Sequence, residues 1–343
     1  MMKVAVIGAS GYVGAELIGL LIQHPKVELT HLLVSENSDS CGLHFSELHA
    51  RWLGICDVPL QSFSQAWFEQ SVDQLDAVFF ATPHEFSAQW GASFVAKGVK
   101  VFDLSGAFRL KDATQYPTFY GFSHGDGKAL ASAVYGLAEW NAQQIADANL
   151  VAVPGCYPTA SLTALKPLVS NNLHLPGAVI SVNGISGVSG AGRKASLATS
   201  FNEVSLSPYN ILVHRHQPEI SQEASTQVIF NPHLAPYKRG LMATVTVPLA
   251  EGVTAAQVDD AFNQAYCDSA IVRMPKAWPK IDNVAFSPFA DVHWQTDEKL
   301  GVTVISCAID NLLKGAASQA VQCFNLVIGE DSHFTLLPGG QHV

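Results

Sequence analysis

Lys3-Val4-Ala5-Val6-Ile7 is a β-branched apolar run, and Gly8-Ala9-Ser10-Gly11-Tyr12-Val13-Gly14 follows it directly. The helical pattern Ala15 to Ile22 comes next, so the order is strand, glycine turn, helix. Glycines let a backbone come close to a pyrophosphate, and the helix N-terminus offers it N–H donors. This context makes Gly8, Gly11 and Gly14 a dinucleotide site rather than a plain tight turn. Their spacing departs from the commonest NAD fingerprint. Val27 to Val34 reads as a second strand ending at Ser35-Glu36-Asn37-Ser38, where a ribose-reading residue belongs. An acidic side chain there repels a 2′-phosphate, whereas the Ser35 hydroxyl can bond one. Ser35 therefore modestly favours NADP, and Glu36 argues the other way.

Asp76 to Thr82 and Val99 to Ser105 are near-continuous apolar runs on either side of a helical segment, Phe86 to Lys97. Such runs belong in a parallel sheet covered on both faces. The first half of the chain is thus expected to be a Rossmann-type, doubly wound α/β sheet. Ligands bind beyond the carboxyl ends of such strands. Arg109 falls there and is a candidate anion clamp, its alternative being an ordinary surface arginine. His84 reads as a structural loop residue.

Val153-Pro154-Gly155-Cys156-Tyr157-Pro158-Thr159 sets a cysteine beside a helix start. Proline suits the first helical position and pushes the residue before it off the helix, which predicts a helix from Pro158. Leu162, Leu165 and Leu168 continue it, and Pro167 should end it after about two or three turns. Cys156 then lies just outside an N-terminus, a setting that favours thiolate. A buried structural thiol is the alternative.

Ala178 to Asn183 reads as a strand opening into the loop Gly184 to Lys194, where glycines, serines, Arg193 and Lys194 could hold an anion. His214-Arg215-His216-Gln217-Pro218-Glu219 repeats the proline device, with His216 just ahead of a helix start. An imidazole there could take a thiol proton and return it to an alkoxide. His214 and His216 could also bind a metal, but no ligand cluster completes the set, so no metal is expected. Leu241 to Pro248 and Val302 to Ile309 are strands around an amphipathic helix, Val253 to Tyr266, which implies an α+β part with a mixed sheet. Met274 to Pro288 reads as loop. A last helix running from Asn311 has the small-residue face to pack closely and is expected to pack back on the first domain.

A length of 343 residues implies two domains: a dinucleotide-binding domain over 1–152, completed by a helix at about 312–330, and a catalytic domain over 153–311. A net charge of −10 argues against nucleic acid, though not against a small anion met by local cations. The six scattered cysteines read as free thiols in a reducing compartment. With no signal-peptide profile and no apolar run long enough for a bilayer, a cytoplasmic protein without membrane partners is expected.

Several motifs, in this order, resemble one family: Gly8 to Gly14, Asp103-Leu104-Ser105-Gly106-Ala107-Phe108-Arg109, Tyr135-Gly136-Leu137-Ala138-Glu139, Pro154 to Thr159, Gly187 to Lys194, His214 to Glu219, and Asp310-Asn311-Leu312-Leu313-Lys314-Gly315-Ala316. The chain is similar over nearly its whole length to N-acetyl-gamma-glutamyl-phosphate reductases, of the aspartate-semialdehyde dehydrogenase-like superfamily. The resemblance implies an arginine-biosynthesis enzyme that uses NADPH to reduce N-acetyl-glutamyl phosphate to the semialdehyde, releasing phosphate. It implies Cys156 as nucleophile and His216 as acid/base. Ser10, Gly11, Tyr12, Val13 and Asn311 become cofactor contacts, and Arg109, Arg193, Lys194 and Glu219 substrate contacts. A homodimer or homotetramer would be ordinary. The rival readings are an aspartate-semialdehyde dehydrogenase and a non-catalytic NADP sensor.

Overall fold

Seven strands build the first sheet: β1 (Met2–Ile7), β2 (Val27–Val34), β3 (Leu60–Ser62), β4 (Ala77–Phe80), β5 (Lys100–Asp103), β6 (Val134–Tyr135) and β7 (Leu150–Ala152). They come from a computed structural model that describes residues 1–337. The spatial order is β3-β2-β1-β4-β5-β7-β6, and every pairing is parallel. The order reverses between β1 and β4, the topological switch point where such sheets bind ligands. Doubly wound α/β architecture is therefore what this half adopts.

Burial of both faces explains the apolar runs. Ala77, Val78, Phe79 and Phe80 of β4 are all fully buried. Phe80 faces Phe86 and Phe94, in a cluster with Phe63, Phe68 and Trp90. Phe79 points the other way, stacking on Phe102 at 4.8 Å, and Phe324 covers both rings at 5.8 and 5.7 Å. Phe324 belongs to the helix Ser318–Val327, so this late helix closes the second face of the first sheet. A π-helical turn, Leu313–Ala317, leads into it.

The second sheet contains β8 (Ile180–Gly187), β9 (Ser207–Pro208), β10 (Val228–Ala235), β11 (Leu241–Pro248), β12 (Val272–Arg273), β13 (Ala290–Asp297) and β14 (Val302–Ile309). Its order is β12-β13-β14-β11-β8-β10-β9, with β8–β10 and β12–β13 parallel and the other pairs antiparallel. Alternation marks one covered face: Leu241, Ala243, Val245 and Val247 are buried, while Met242, Thr244, Thr246 and Pro248 are half-buried. The helix Cys156–Ser170 lies on that face, flanked by the helices His216–Ala224 and Ala255–Tyr266. The chain divides into two compact units, Met1–Pro154 with the segment from Ala316, and Gly155–Gly315.

Several local expectations change. The helices expected from Pro158 and Pro218 begin two residues earlier, at Cys156 and His216. The first four N–H groups of a helix have no intrahelical acceptor, so proline is tolerated throughout the first turn and here stands third. Helix Cys156–Ser170 also runs through Pro167 for 15 residues rather than stopping before it. Pro167 leaves the Thr163 carbonyl without its usual donor, and the Tyr266 hydroxyl bonds that oxygen at 2.8 Å. The first helix starts at Tyr12, not Ala15. β8 continues through Gly184 to Gly187, which read as loop, and β10 and β13 carry no pattern that marked them beforehand.

Candidate active site

Cys156 is the first residue of its helix, with Gly155 as N-cap and no side chain capping the first turn. The N–H groups and dipole of that turn favour a thiolate, and a position inside the turn serves this as well as one just ahead of it. Residues 157–165 are all buried, whereas Cys156 is partly exposed. The helix is anchored through Tyr157. A Cβ on Gly184 would stand 2.6 Å from the Tyr157 ring, so the glycine makes the space that this ring fills. The ring meets Phe230 at 5.0 Å and its hydroxyl donates to the His233 carbonyl at 2.9 Å. Desolvation pushes the Tyr157 hydroxyl far up, keeping it a neutral donor. Gly315, in the π-helical turn, lies against the cysteine: a Cβ there would stand 2.7 Å from the Cys156 Cβ.

His216 opens the second helix. Its backbone N–H donates to Nδ1 of His214 at 3.1 Å, and the two rings sit edge to face at 4.8 Å. Both histidines also meet Tyr157 at 5.9 Å. Burial, with the charge of Arg215, lowers the His214 pKa to about 4, so it is a neutral acceptor at physiological pH. Glu219, expected among the substrate contacts, is fully buried, and its Oε1 accepts the N–H of Gly155 at 3.0 Å. The two helix starts that carry Cys156 and His216 are thereby joined by a hydrogen bond.

The glycine turn fits a dinucleotide. Gly8 has φ +93°, and a Cβ on it would overlap the Ala81 carbonyl, so the turn sits tightly between the ends of β1 and β4. A Cβ on Gly14 would overlap the Gly8 carbonyl. Gly11 differs: it is the helix N-cap, without a side-chain cap, and a Cβ there meets only the Gly8 oxygen at 3.6 Å. Two glycines thus serve close packing, and the third leaves open the approach a pyrophosphate needs. Ser10 and Val13 are partly exposed and Tyr12 exposed beside this turn, and Ser35 stands exposed just past β2.

The expected cations divide. Arg109 is buried, donating from Nε to the Val153 carbonyl and from Nη2 to the Leu104 carbonyl, both at 2.8 Å. It therefore holds together the chain leaving β5 and the chain leaving β7, three residues before Cys156. Burial pushes up the carboxyl of nearby Asp103, which accepts the Ser105 N–H and hydroxyl. Arg193 and Lys194 are exposed. Their loop is tethered at its root, where the Val188 and Ser189 N–H groups donate to the Tyr237 and Lys238 carbonyls. Asn311, expected as a cofactor contact, is buried: it accepts the Gly240 N–H at 2.7 Å and donates to Ser189 Oγ at 2.9 Å. Beside it Asp310 pairs with Arg239 and caps the N–H groups of Leu312 and Leu313. Sequence reading missed Arg239 and the anchoring role of Tyr157, because their partners lie on distant strands and loops.

Comparison with known proteins identifies the two parts of the chain. Residues 3–148 match the NAD binding domain of semialdehyde dehydrogenase, and residues 156–311 match its dimerisation domain. A protein from Alteromonas mediterranea, N-acetyl-gamma-glutamyl-phosphate reductase, is 52% identical, the match covering 95% of this chain and 97% of the relative. The chain belongs to the N-acetyl-gamma-glutamyl-phosphate reductase family. The Tolumonas auensis reductase is 51% identical over 96% of this chain and 98% of its own. A solved aspartate semialdehyde dehydrogenase II from Vibrio cholerae superposes with a TM-score of 0.71 at 21% identity, covering 96% of this chain and 98% of that one. That likeness is one of fold. As a member of the N-acetyl-gamma-glutamyl-phosphate reductase family, the chain is an oxidoreductase with a nicotinamide dinucleotide-binding domain. Among the described residues, no helix is long and apolar enough to cross a membrane.

Proposed function

We propose that this chain reduces N-acetyl-L-glutamyl 5-phosphate to N-acetyl-L-glutamate 5-semialdehyde with release of phosphate, using NADPH, through a thioester on Cys156, as a step of arginine biosynthesis. One observation carries the reading: a partly exposed thiol and an imidazole open two helices whose starts are joined through Gly155 and Glu219. His216 takes the Cys156 proton. The thiolate attacks the acyl-phosphate carbon, a C–S bond forms, and the C–O bond to phosphate breaks. The dinucleotide, when bound, supplies the hydride that reduces the thioester carbon. His216 gives its proton to the oxyanion left by that reduction, and collapse of the hemithioacetal frees the aldehyde and the thiol.

Exposed Arg193 and Lys194 bind the phosphoryl or carboxylate groups of the substrate, and Arg109 adds positive charge beyond the carboxyl ends of β5 and β7. Gly8, Ser10, Gly11, Tyr12, Val13 and Gly14 bind the dinucleotide pyrophosphate. The Ser35 hydroxyl receives the 2′-phosphate, which favours NADP, the cofactor named with a solved neighbour from Candida albicans. Asn311 contributes by ordering the loop root at Ser189. The match to a dimerisation domain supports a homodimer or homotetramer, and six free cysteines are in keeping with a reducing, cytoplasmic setting.

The test is phosphate-dependent reduction of NADP by the purified protein. N-acetylglutamate semialdehyde should be oxidised much faster than aspartate semialdehyde, and the reverse order would make the chain an aspartate-semialdehyde dehydrogenase. Cys156→Ala should bind NADP without turning over, and His216→Ala should be slower by about 10²–10⁴-fold. Mass spectrometry should find the trapped acyl group on Cys156; an acyl group on another cysteine overturns the mechanism.

A further inference from the structure

A helix N-cap N–H is commonly met by a Glu or Gln three residues later, in a capping box. The Cys156 helix cannot do this. Its N-cap is Gly155 and its third residue is Pro158, which has no side-chain acceptor. Gly155 is buried, so an unmet N–H there would cost about 1–3 kcal/mol. Glu219 supplies the missing acceptor from a different helix, Oε1 to N at 3.0 Å, with its side chain fully buried. On its own helix Glu219 stands three residues after His216.

We infer that Glu219 is a positioning residue whose reach across to the Gly155 N–H sets the start of the Cys156 helix against the start of the His216 helix. This rests on the assignment of Cys156 as nucleophile and His216 as acid/base. The geometry around the pair supports it. Tyr157 fixes the far side of the Cys156 turn by its bond to the His233 carbonyl, and His214 fixes the His216 amide. The Tyr157 ring meets both histidines at 5.9 Å, and the Glu219 bond adds to this packing a directional hydrogen bond from one turn to the other. A carboxylate or amide oxygen at this length can make the bond. A shorter side chain cannot reach.

Length and charge separate in the test. Glu219→Gln keeps the length and an acceptor oxygen but removes the charge; Glu219→Asp keeps the charge and loses the length. Two readouts are compared with wild type: steady-state kcat and KM, and the rate at which iodoacetamide alkylates the Cys156 peptide between pH 6 and 9, followed by mass spectrometry. We expect Glu219→Gln to remain within about three-fold of wild type in both. Glu219→Asp and Glu219→Ala should lose about 10–10²-fold in kcat, with KM near wild type and Cys156 alkylation slowed or shifted in pH, as misplaced catalytic groups do. The opposite order, Asp active and Gln inactive, overturns the inference, as does a raised KM with normal kcat and alkylation, which would make Glu219 a substrate contact. If Glu219→Ala does not fold, the Gln and Asp pair still decides. Failure of the proposed reaction shows as absent wild-type turnover, and the alkylation measurement stands independently of it.

Discussion

Nδ1 of His214 accepts the backbone N–H of His216 at 3.1 Å, so the amide of the second histidine requires the first to be unprotonated at that nitrogen. Burial depresses the His214 pKa from its ordinary 6.5 to about 4. The unfolded chain therefore binds a proton that the folded one refuses, and stability from this group is full above pH 6.5 and lost as pH falls toward 4. The loss amounts to roughly 3 kcal/mol. His24, His31 and His124 are also lowered by burial and act with the same sign. His214→Asn keeps an acceptor without a titrating group. Urea unfolding at pH 7 and pH 4.5 should show a smaller acid penalty in the variant than in wild type; equal penalties would refute the assignment.

Tyr266 supports a different irregularity. Its hydroxyl bonds the carbonyl that Pro167 deprives of a donor. Tyr266→Phe leaves that buried oxygen unmet and should cost about 1–3 kcal/mol. A lowered thermal midpoint with near-normal activity is the expected pattern, and an unchanged midpoint would show that the bond contributes nothing.

Gly315 has no room for a side chain beside Cys156. Gly315→Ala must push Cys156 aside, and displacement of that order costs about 10²-fold in rate. We expect kcat to fall while NADPH binding, followed by fluorescence, stays intact. Full activity would mean that the π-helical turn yields without moving the thiol.

The glycines of the first turn should fail in different ways. Gly8→Ala forces a side chain into the Ala81 carbonyl at φ +93° and should lower the melting temperature strongly. Gly11→Ala meets nothing closer than 3.6 Å and should melt near wild type but bind NADPH at least ten-fold more weakly. Similar melting temperatures for the two variants would contradict this division.

The periodicity of the first half made the parallel sheet legible, because its strands are buried on both faces and read as unbroken apolar runs. β11 and β14 were readable to the residue. β10, with Asn231, Pro232 and His233 in its middle, was not: its middle residues are polar or proline, and the parallel register with β8 that makes it a strand is not local information. The proline rule found both helix starts, and displaced both by two residues, because a first turn accepts proline at more than one position. Cys156 and His216 were visible as residue types in context. The roles of Glu219, Tyr157 and Arg109 were not, since each is defined by a backbone atom 44 to 76 residues away in sequence.

Phe324 covers Phe79 and Phe102 from the last helix among the described residues. On the ribosome the dinucleotide-binding unit must consequently wait, with the aromatic back of its sheet bare, until the unit Gly155–Gly315 has emerged and the closing helix follows. A nascent chain stalled before Ala316 would display that bare surface to chaperones.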